Sequence, residues 1–233
     1  MAHPGRARRL GVGAVPSFPD PRDADPRGLL AVGGDLSVPR LLGAYSRGIF
    51  PWYDEGLPPL WWSPDPRGVI DPDRLHVSRS LRRRLRQGGF TVTLDAAFAG
   101  VMAACAGDRD EGTWILPAMI EAYVALHAAG HAHSFEVWMD GALAGGLYGV
   151  CVGGLFAAES MFHRRTDASK IALVSAVTTA FAAGIGLFDV QFVTPHLASM
   201  GASSIRRAEY LARLAAVRDR TVSLAGRAPL LPP

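Results

Sequence analysis

Cysteine is scarce in this chain of 233 residues. Cys105 and Cys151 stand alone, far apart and outside metal-ligand spacing, which excludes a disulfide-stapled secreted scaffold and a thiolate zinc site. Charge is thin as well. Asp, Glu, Lys and Arg make up 19% of the residues and hydrophobic residues 49%, a balance that excludes a disordered chain. No apolar run follows Arg6, Arg8 and Arg9, so no secretory signal is read. Ile171 to Phe188 carries no charge, but Ser175, Thr178, Thr179, Gly184 and Gly186 interrupt it, and it reads as a buried core helix rather than a membrane span. A cytoplasmic protein is expected. Familiar catalytic signatures are missing too. There is no Gly-x-Ser-x-Gly elbow and no dinucleotide fingerprint, and Ser160 has no evident His base. Gly33-Gly34-Asp35 lacks both the Lys and the preceding strand of a phosphate loop. His127, His131 and His133 have no Cys or carboxylate at metal spacing and read as structural or surface histidines. Neither a metal nor a cofactor is expected.

What is present centres on Gly141 to Gln191. Leu143 to Val150 and Leu155 to Phe162 read as two strands joined through Gly153-Gly154, where glycine permits positive φ. Strand alternation puts Glu159 on one face with Leu155, Ala157 and Met161, and Phe156, Ser160 and Phe162 on the other. A carboxylate among such neighbours is costly to bury without a partner or a substrate. Asp167 to Ala183 reads as a helix and Leu187 to Val193 as a strand, with Phe188, Val190 and Phe192 pointing one way and Asp189 and Gln191 the other. Asp189 is expected to hold the Gln191 amide and aim its carbonyl at an amine, or else the two form a satisfied pair that pins the sheet.

The chain before this centre divides near Asp65. Residues 1–65 read as a small module with an extended, Pro-rich start, anchored first at Phe18-Pro19-Asp20-Pro21 and followed by turn and helix from Gly28 to Gly48. Trp52, Tyr53, Trp61 and Trp62 cluster between prolines. Trp61 and Trp62 suit a hydrophobic plug, whereas Trp52, like Trp114 farther on, suits either a plug or a platform on which a nucleotide base stacks. Residues 66–233 read as a second, larger domain. Within it, Arg79, Arg82, Arg83 and Arg86 share one face of a helix, with Val77, Leu81 and Leu85 opposite and no acidic residue between Arg74 and Asp95. An uncompensated arginine stripe suits phosphate groups better than a merely solvated face. A strand at Phe90 to Leu94, helices at Asp95 to Ala106 and Pro117 to Ala129, an exposed loop at Asp108 to Gly112 and a strand at His133 to Met139 complete this part. A helix spans Ala202 to Val217 and the residues after Arg218 read as frayed. The alternation gives a mixed α/β class, and the pI near 9.2 is compatible with an anionic partner.

Taken together, the blocks Gly28 to Ser37, Gly48 to Trp52, Leu60 to Arg67, His76 to Ser80, Glu111 to Ile115, Ala132 to Ser134, Gly145 to Val150, Glu159 to Phe162, Asp189 to Gln191 and His196 to Ala202 resemble the leucyl/phenylalanyl-tRNA–protein transferases, bacterial aminoacyltransferases that tag proteins for degradation. The resemblance implies a small N-terminal domain followed by an acetyltransferase-like (GNAT-type) α/β domain that uses no coenzyme A. It implies transfer of Leu or Phe, less readily Met, from aminoacyl-tRNA to the N-terminal amine of proteins beginning with Arg or Lys; a monomer is the default expectation and does not come from the resemblance. It further implies Asp189 and Gln191 as the pair that activates the amine, with Glu159 nearby. Trp52 and Trp114 would flank the terminal adenosine, and Leu147, Phe156 and Leu173 would line the side-chain pocket. Arg79, Arg82, Arg83 and Arg86 would meet the acceptor stem. Ala158 departs from the Gly expected before Glu159, and Leu147 from a Met found in some members of the family. A coenzyme A-dependent acetyltransferase and a non-catalytic RNA-binding module are the rival expectations.

Overall fold

The computed structural model describes residues 7–12, 18–107 and 113–232. The exposed loop expected from Asp108 to Gly112 lies outside the described residues, as does Arg6. Two sheets organise the chain. The first takes β1 (Arg8–Leu10), β2 (Leu29–Gly33), β3 (Phe50–Pro51) and β4 (Leu60–Trp62) in the order β1-β2-β4-β3, with α1 (Val38–Tyr45) between β2 and β3. Pro39 sits in the first turn of α1, where its missing N–H costs nothing. These strands escape a reading of the sequence because each is too short, and too interrupted by Gly and Pro, to show a period of two. Phe18 does anchor the start, packing edge-on against the fully buried Trp61 at 4.9 Å.

The larger sheet is built from β5 (Arg67–Ile70), β6 (Thr91–Leu94), β7 (Ala132–Met139), β8 (Ala142–Val152), β9 (Leu155–His163), β10 (Leu187–Gln191) and β11 (Ser203–Ile205), in the order β11-β5-β10-β9-β8-β7-β6. Its helices are α2 (Arg79–Gln87), α3 (Phe98–Gly107), α4 (Pro117–Ala128), α5 (Ala168–Ala182), α6 (Pro195–Ser199) and α7 (Arg207–Val217). Apolar residues of α1, α3, α4 and α7 fill one side of the sheet and those of α2 and α5 the other. The uncharged run is thus α5, buried along nearly its whole length, as an all-round apolar helix must be. Among the described residues no helix is long and apolar enough to cross a membrane. Phe135, Val137 and Met139 share the α5 side, as alternation predicts.

The mixed α/β class is observed. Two corrections concern the end of the chain. Residues 203–205 are not helix but the edge strand β11, antiparallel to β5, and α7 begins only at Arg207. The segment after Arg218 is also more than a frayed end, since Leu224 is completely buried in the α5-side core.

The sheet carries one parallel pair, β9 with β10, and this pair positions the site. Its register runs Leu187 to Leu155, Phe188 to Phe156 and Asp189 to Ala157, and stops there. Just beyond, each strand bulges. Between Tyr148 opposite Ser160 and Gly149 opposite Ala158, Glu159 is the extra residue of β9; between Asp189 opposite Val69 and Gln191 opposite Gly68, Val190 is the extra residue of β10. Bulges bend a strand and re-aim its side chains. Two of them side by side part β9 from β10 and leave a wedge-shaped gap at Glu159 and Gln191. Gly149 fits the first bulge because a Cβ there would come within 2.5 Å of the Ala157 carbonyl oxygen.

Candidate active site

The bulges overturn the expected side-chain parity. Leu155 and Ala157 face the α3/α4 side, and Glu159 reaches Tyr123 on that same side. After the extra residue, Phe162 keeps this side and Met161 turns to the other, so Glu159 and Met161 do not share a face. In β10, Phe188 and Val190 pack on the α5 side, but Phe192 emerges exposed beside Phe50 and Trp52, with ring centroids 6.1 and 5.7 Å away.

Asp189 does not hold the Gln191 amide. Its carboxylate is fully buried and saturated. Arg67 donates through Nε to Oδ1 at 2.9 Å and through NH2 to Oδ2 at 2.6 Å, and the Tyr210 hydroxyl donates to Oδ2 at 2.9 Å. The backbone N–H of Gln191 donates to Oδ1 at 2.9 Å. Burial works against the Arg67 charge, yet the Asp189 carboxylate more than offsets this and raises its pKa. The remaining Arg67 NH1 donates to the Gly48 carbonyl at 3.1 Å, and Gly48 has no Cβ to strike the Tyr210 ring. Because Gln191 sits at φ 55, an uncommon conformation for a residue with a side chain, the Asp189 bond to its N–H is what fixes the turn.

Turned this way, the Gln191 side chain donates through Nε2 to Glu159 Oε1 at 3.2 Å, and its carbonyl accepts no hydrogen bond among the described residues. The Tyr123 hydroxyl lies 3.4 Å from Glu159 Oε2 and 2.5 Å from the Tyr45 hydroxyl. Burial pushes the Glu159 carboxyl up to about 8; hydrogen bonding from Tyr45 opposes this and the nearby Asp189 carboxylate adds to it. Burial likewise lifts Tyr45, Tyr123 and Tyr210 well above the ordinary phenol, so they stay protonated donors.

Around these groups lie two cavities. One, of about 280 Å³, is lined by Phe50, Trp52, Trp114, Glu159, Gln191 and Phe192, among others. The second, of about 70 Å³, is lined by Leu147, Ala158, Met161, Leu173, Val190 and Leu197. Both are lined by Glu159 and Gln191, so the two adjoin at that pair. The structure therefore gathers Trp52, Trp114, Glu159, Gln191, Leu147 and Leu173. Trp52 is 40% exposed at the rim, whereas Trp61 is buried and Trp62 donates to the Trp52 carbonyl from beneath. Phe156 lines neither cavity; it stacks on Phe188 at 5.2 Å in the same apolar cluster as Leu147 and Leu173. Asp189 supports the site from behind. Arg79, Arg82, Arg83 and Arg86 are exposed on α2, with Leu81 buried and Leu85 turned inward.

No group of three His, Cys, Asp or Glu suited to a metal occurs among the described residues. His133 bonds Asp95 at 2.7 Å, and His127 stacks on Phe98 at 4.3 Å, both structural contacts. Arg67, Tyr45, Tyr123 and Tyr210 are the site residues that sequence reasoning missed. Their signal was available: three inward tyrosines on three helices each need a partner for a buried hydroxyl.

Comparison with known proteins gives the site a context. The family model described as leucyl/phenylalanyl-tRNA protein transferase matches residues 69–215, and that of the N-terminal domain of the same family matches residues 34–65. A leucyl/phenylalanyl-tRNA–protein transferase of Anaeromyxobacter sp. (strain Fw109-5) is 58% identical over 214 residues, covering 91% of both chains. One of Solidesulfovibrio magneticus is 56% identical over 207 residues, covering 88% of this chain and 84% of that one. A solved structure of L-PGS from Bacillus licheniformis is similar over 65% of this chain and 51% of that one, at 12% identity and a TM-score of 0.40. By the extent of the family model and the identity of these relatives, this chain belongs to the leucyl/phenylalanyl-tRNA protein transferase family.

Proposed function

We propose that this protein transfers an amino acid, Leu or Phe and less readily Met, from aminoacyl-tRNA to the N-terminal amine of proteins that begin with Arg or Lys. The observation that carries the reading is the pair of adjoining cavities with the hydrogen-bonded Glu159 and Gln191 between them. The wider cavity, with the Trp52 and Trp114 rings, suits an adenosine, and the narrow apolar one, with Leu147 and Leu173, suits an uncharged side chain. The ester that links adenosine to amino acid then falls at Glu159 and Gln191.

An aminoacyl ester is already activated, so the reaction needs no ATP. The acceptor arrives as an ammonium with a pKa near 8. Glu159, lifted to about 8, is matched to it, so the proton is shared with little penalty either way. The Gln191 carbonyl accepts a second N–H and aims the lone pair at the ester carbon. Glu159 takes the first proton of the ammonium and gives it to the ribose oxygen as the C–O bond breaks, and the second proton leaves the attacking nitrogen for water once the C–N bond has formed. Asp189, saturated by Arg67 and Tyr210, acts as a positioning residue that holds the Gln191 turn. Positioning of this kind accounts for much of the rate in reactions of activated esters. We assign Arg79, Arg82, Arg83 and Arg86 to the acceptor stem, the domain boundary to residues 65/66, and the active form to a monomer in the cytoplasm, where charged tRNA is made.

Transfer of labelled Leu from Leu-tRNA to an Arg-starting peptide is the test. Gln191→Ala is expected to lower turnover by about tenfold or more, the usual scale for a general acid–base or aiming group, with Leu-tRNA binding retained. Loss of binding in parallel with turnover would remove the assigned role. No transfer by the unsubstituted protein would remove the activity itself.

A further inference from the structure

A third cavity, of about 530 Å³, lies at the start of α5 and belongs to none of the machinery described so far. Its described lining includes His163, Arg164, Arg165, Asp167, Lys170 and His196. We infer that this cavity holds backbone phosphates of the single-stranded 3′ end of the tRNA, immediately before the terminal adenosine that enters between Trp52 and Trp114. The inference deepens the reading proposed above and rests on it.

Charge is the first argument. Arg164, Arg165 and Lys170 line one concavity; Lys170 pairs with Asp167, its one carboxylate among the described lining residues, at 2.9 Å, and Arg164 also lies over the Phe162 ring at 5.3 Å. Asp140, outside the lining, reaches Arg165 only at 4.0 Å. The neighbouring cations are felt locally. Burial depresses the His196 pKa, and the charges of Lys170 and His163 depress it further. A site whose cations oppose one another's protonation is relieved by an anion. The start of α5 adds to this, because the positive end of its dipole opens here and Asp167, at φ 66, makes no side-chain cap to the first turn.

Continuity is the second argument. β9 runs from Glu159 and Met161 in the transfer pocket directly to His163, which lines this cavity, over about 13 Å at 3.3 Å per residue. On the other wall, His196 is the chain neighbour of Leu197, which lines both transfer cavities. An RNA strand leaving the adenosine platform by this route therefore meets the cations within a few nucleotides. The ligand is recognised through its phosphates alone; no base-reading group is needed.

The test compares the unsubstituted protein with the Arg164→Ala/Arg165→Ala variant, both on the surface. Filter binding of Leu-tRNA across a salt series is expected to weaken about tenfold or more at 0.1 M salt, with the slope of log K against log salt falling by about 1.4, the value for two single-strand phosphate contacts. Transfer from leucyl-adenosine, which has no such phosphates, is expected to stay unchanged. Unaltered tRNA affinity and slope would overturn the inference, and so would an equal loss with leucyl-adenosine, which would indicate damage to the transfer pocket. If the unsubstituted protein transfers nothing from either donor, the activity reading falls while the binding comparison still decides whether this cavity takes phosphates.

Discussion

A carboxyl that prefers to be neutral at pH 7 is a liability for a fold and an asset for a proton transfer, and Glu159 shows both sides. Its ordinary pKa of 4.5 is lifted to about 8, chiefly by burial. The folded chain therefore keeps a proton that the unfolded chain releases, and stability falls as pH rises from about 4.5 to about 8. Glu159→Gln removes the titration while keeping the shape and the hydrogen bond with Gln191. The expected result is a melting temperature raised by several degrees at pH 8, scarcely changed at pH 4.5, together with loss of the limb of the rate profile that rises through pH 8. A melting temperature with the same pH dependence in both proteins would show that Glu159 is not held neutral by the fold. At this scale the sequence was partly legible. An acid on an otherwise apolar strand is visible by inspection, and so is the Asp189/Gln191 pair. What could not be read was which atoms meet. Arg67 is far from Asp189 along the chain, and nothing local announces that a buried guanidinium will saturate that carboxylate and leave the Gln191 amide for Glu159.

Elements were legible where a period ran long enough to be counted. α5, β7 and the β8–β9 hairpin follow their apolar patterns, and α2 follows its arginines. The reading failed where the period broke or never began: at the bulges in β9 and β10, where one extra residue inverts every later side chain, and in the strands of the N-terminal sheet and at β11. β11 pairs with β5 through contacts that no nearby sequence signal specifies. For α2 the legible pattern carries a prediction. Ser78 caps the helix by accepting from the Leu81 N–H at 3.2 Å, and Leu81 fixes the buried face, so the arginines can be changed without unfolding it. Replacing Arg79, Arg82, Arg83 and Arg86 together by Ala is expected to reduce the salt slope of tRNA binding by about 0.9 for each duplex phosphate that the helix no longer neutralises. An unchanged slope in the same filter assay would make the stripe an ordinary solvated face. Arg84 should be left in place, since it donates to the Gly88 carbonyl at 2.6 Å and lies over Phe90.

On the scale of the whole molecule, the transfer pocket is a seam. Phe50, Pro51 and Trp52 come from the N-terminal sheet, and Glu159, Met161 and Gln191 from the larger one. The seam is fastened by Arg67, the first residue of β5, which bonds the Gly48 carbonyl on one side and Asp189 on the other and lies between the Phe50 and Tyr210 rings, at 4.7 and 4.5 Å from their centroids. A guanidinium buried in this way does not by itself make a protein more stable than an apolar residue would, but removing one partner leaves the other charge buried and alone, at a cost of about 3–5 kcal/mol. If the fastening couples the sheets, the two halves cannot unfold separately. Three of the five tryptophans, Trp52, Trp61 and Trp62, weight the fluorescence toward the N-terminal sheet, with Trp114 and Trp138 outside it, while far-UV circular dichroism is dominated by the helices packed on the larger sheet. The two probes are expected to give one coincident thermal transition, and Arg67→Ala is expected to lower it by about 10 °C as a single step, at roughly 2–4 °C per kcal/mol for a chain of this size. Separate transitions in the unsubstituted protein would mean that the pocket is closed by two independently folding bodies, and its shape would then depend on how they dock rather than on the Arg67 fastening.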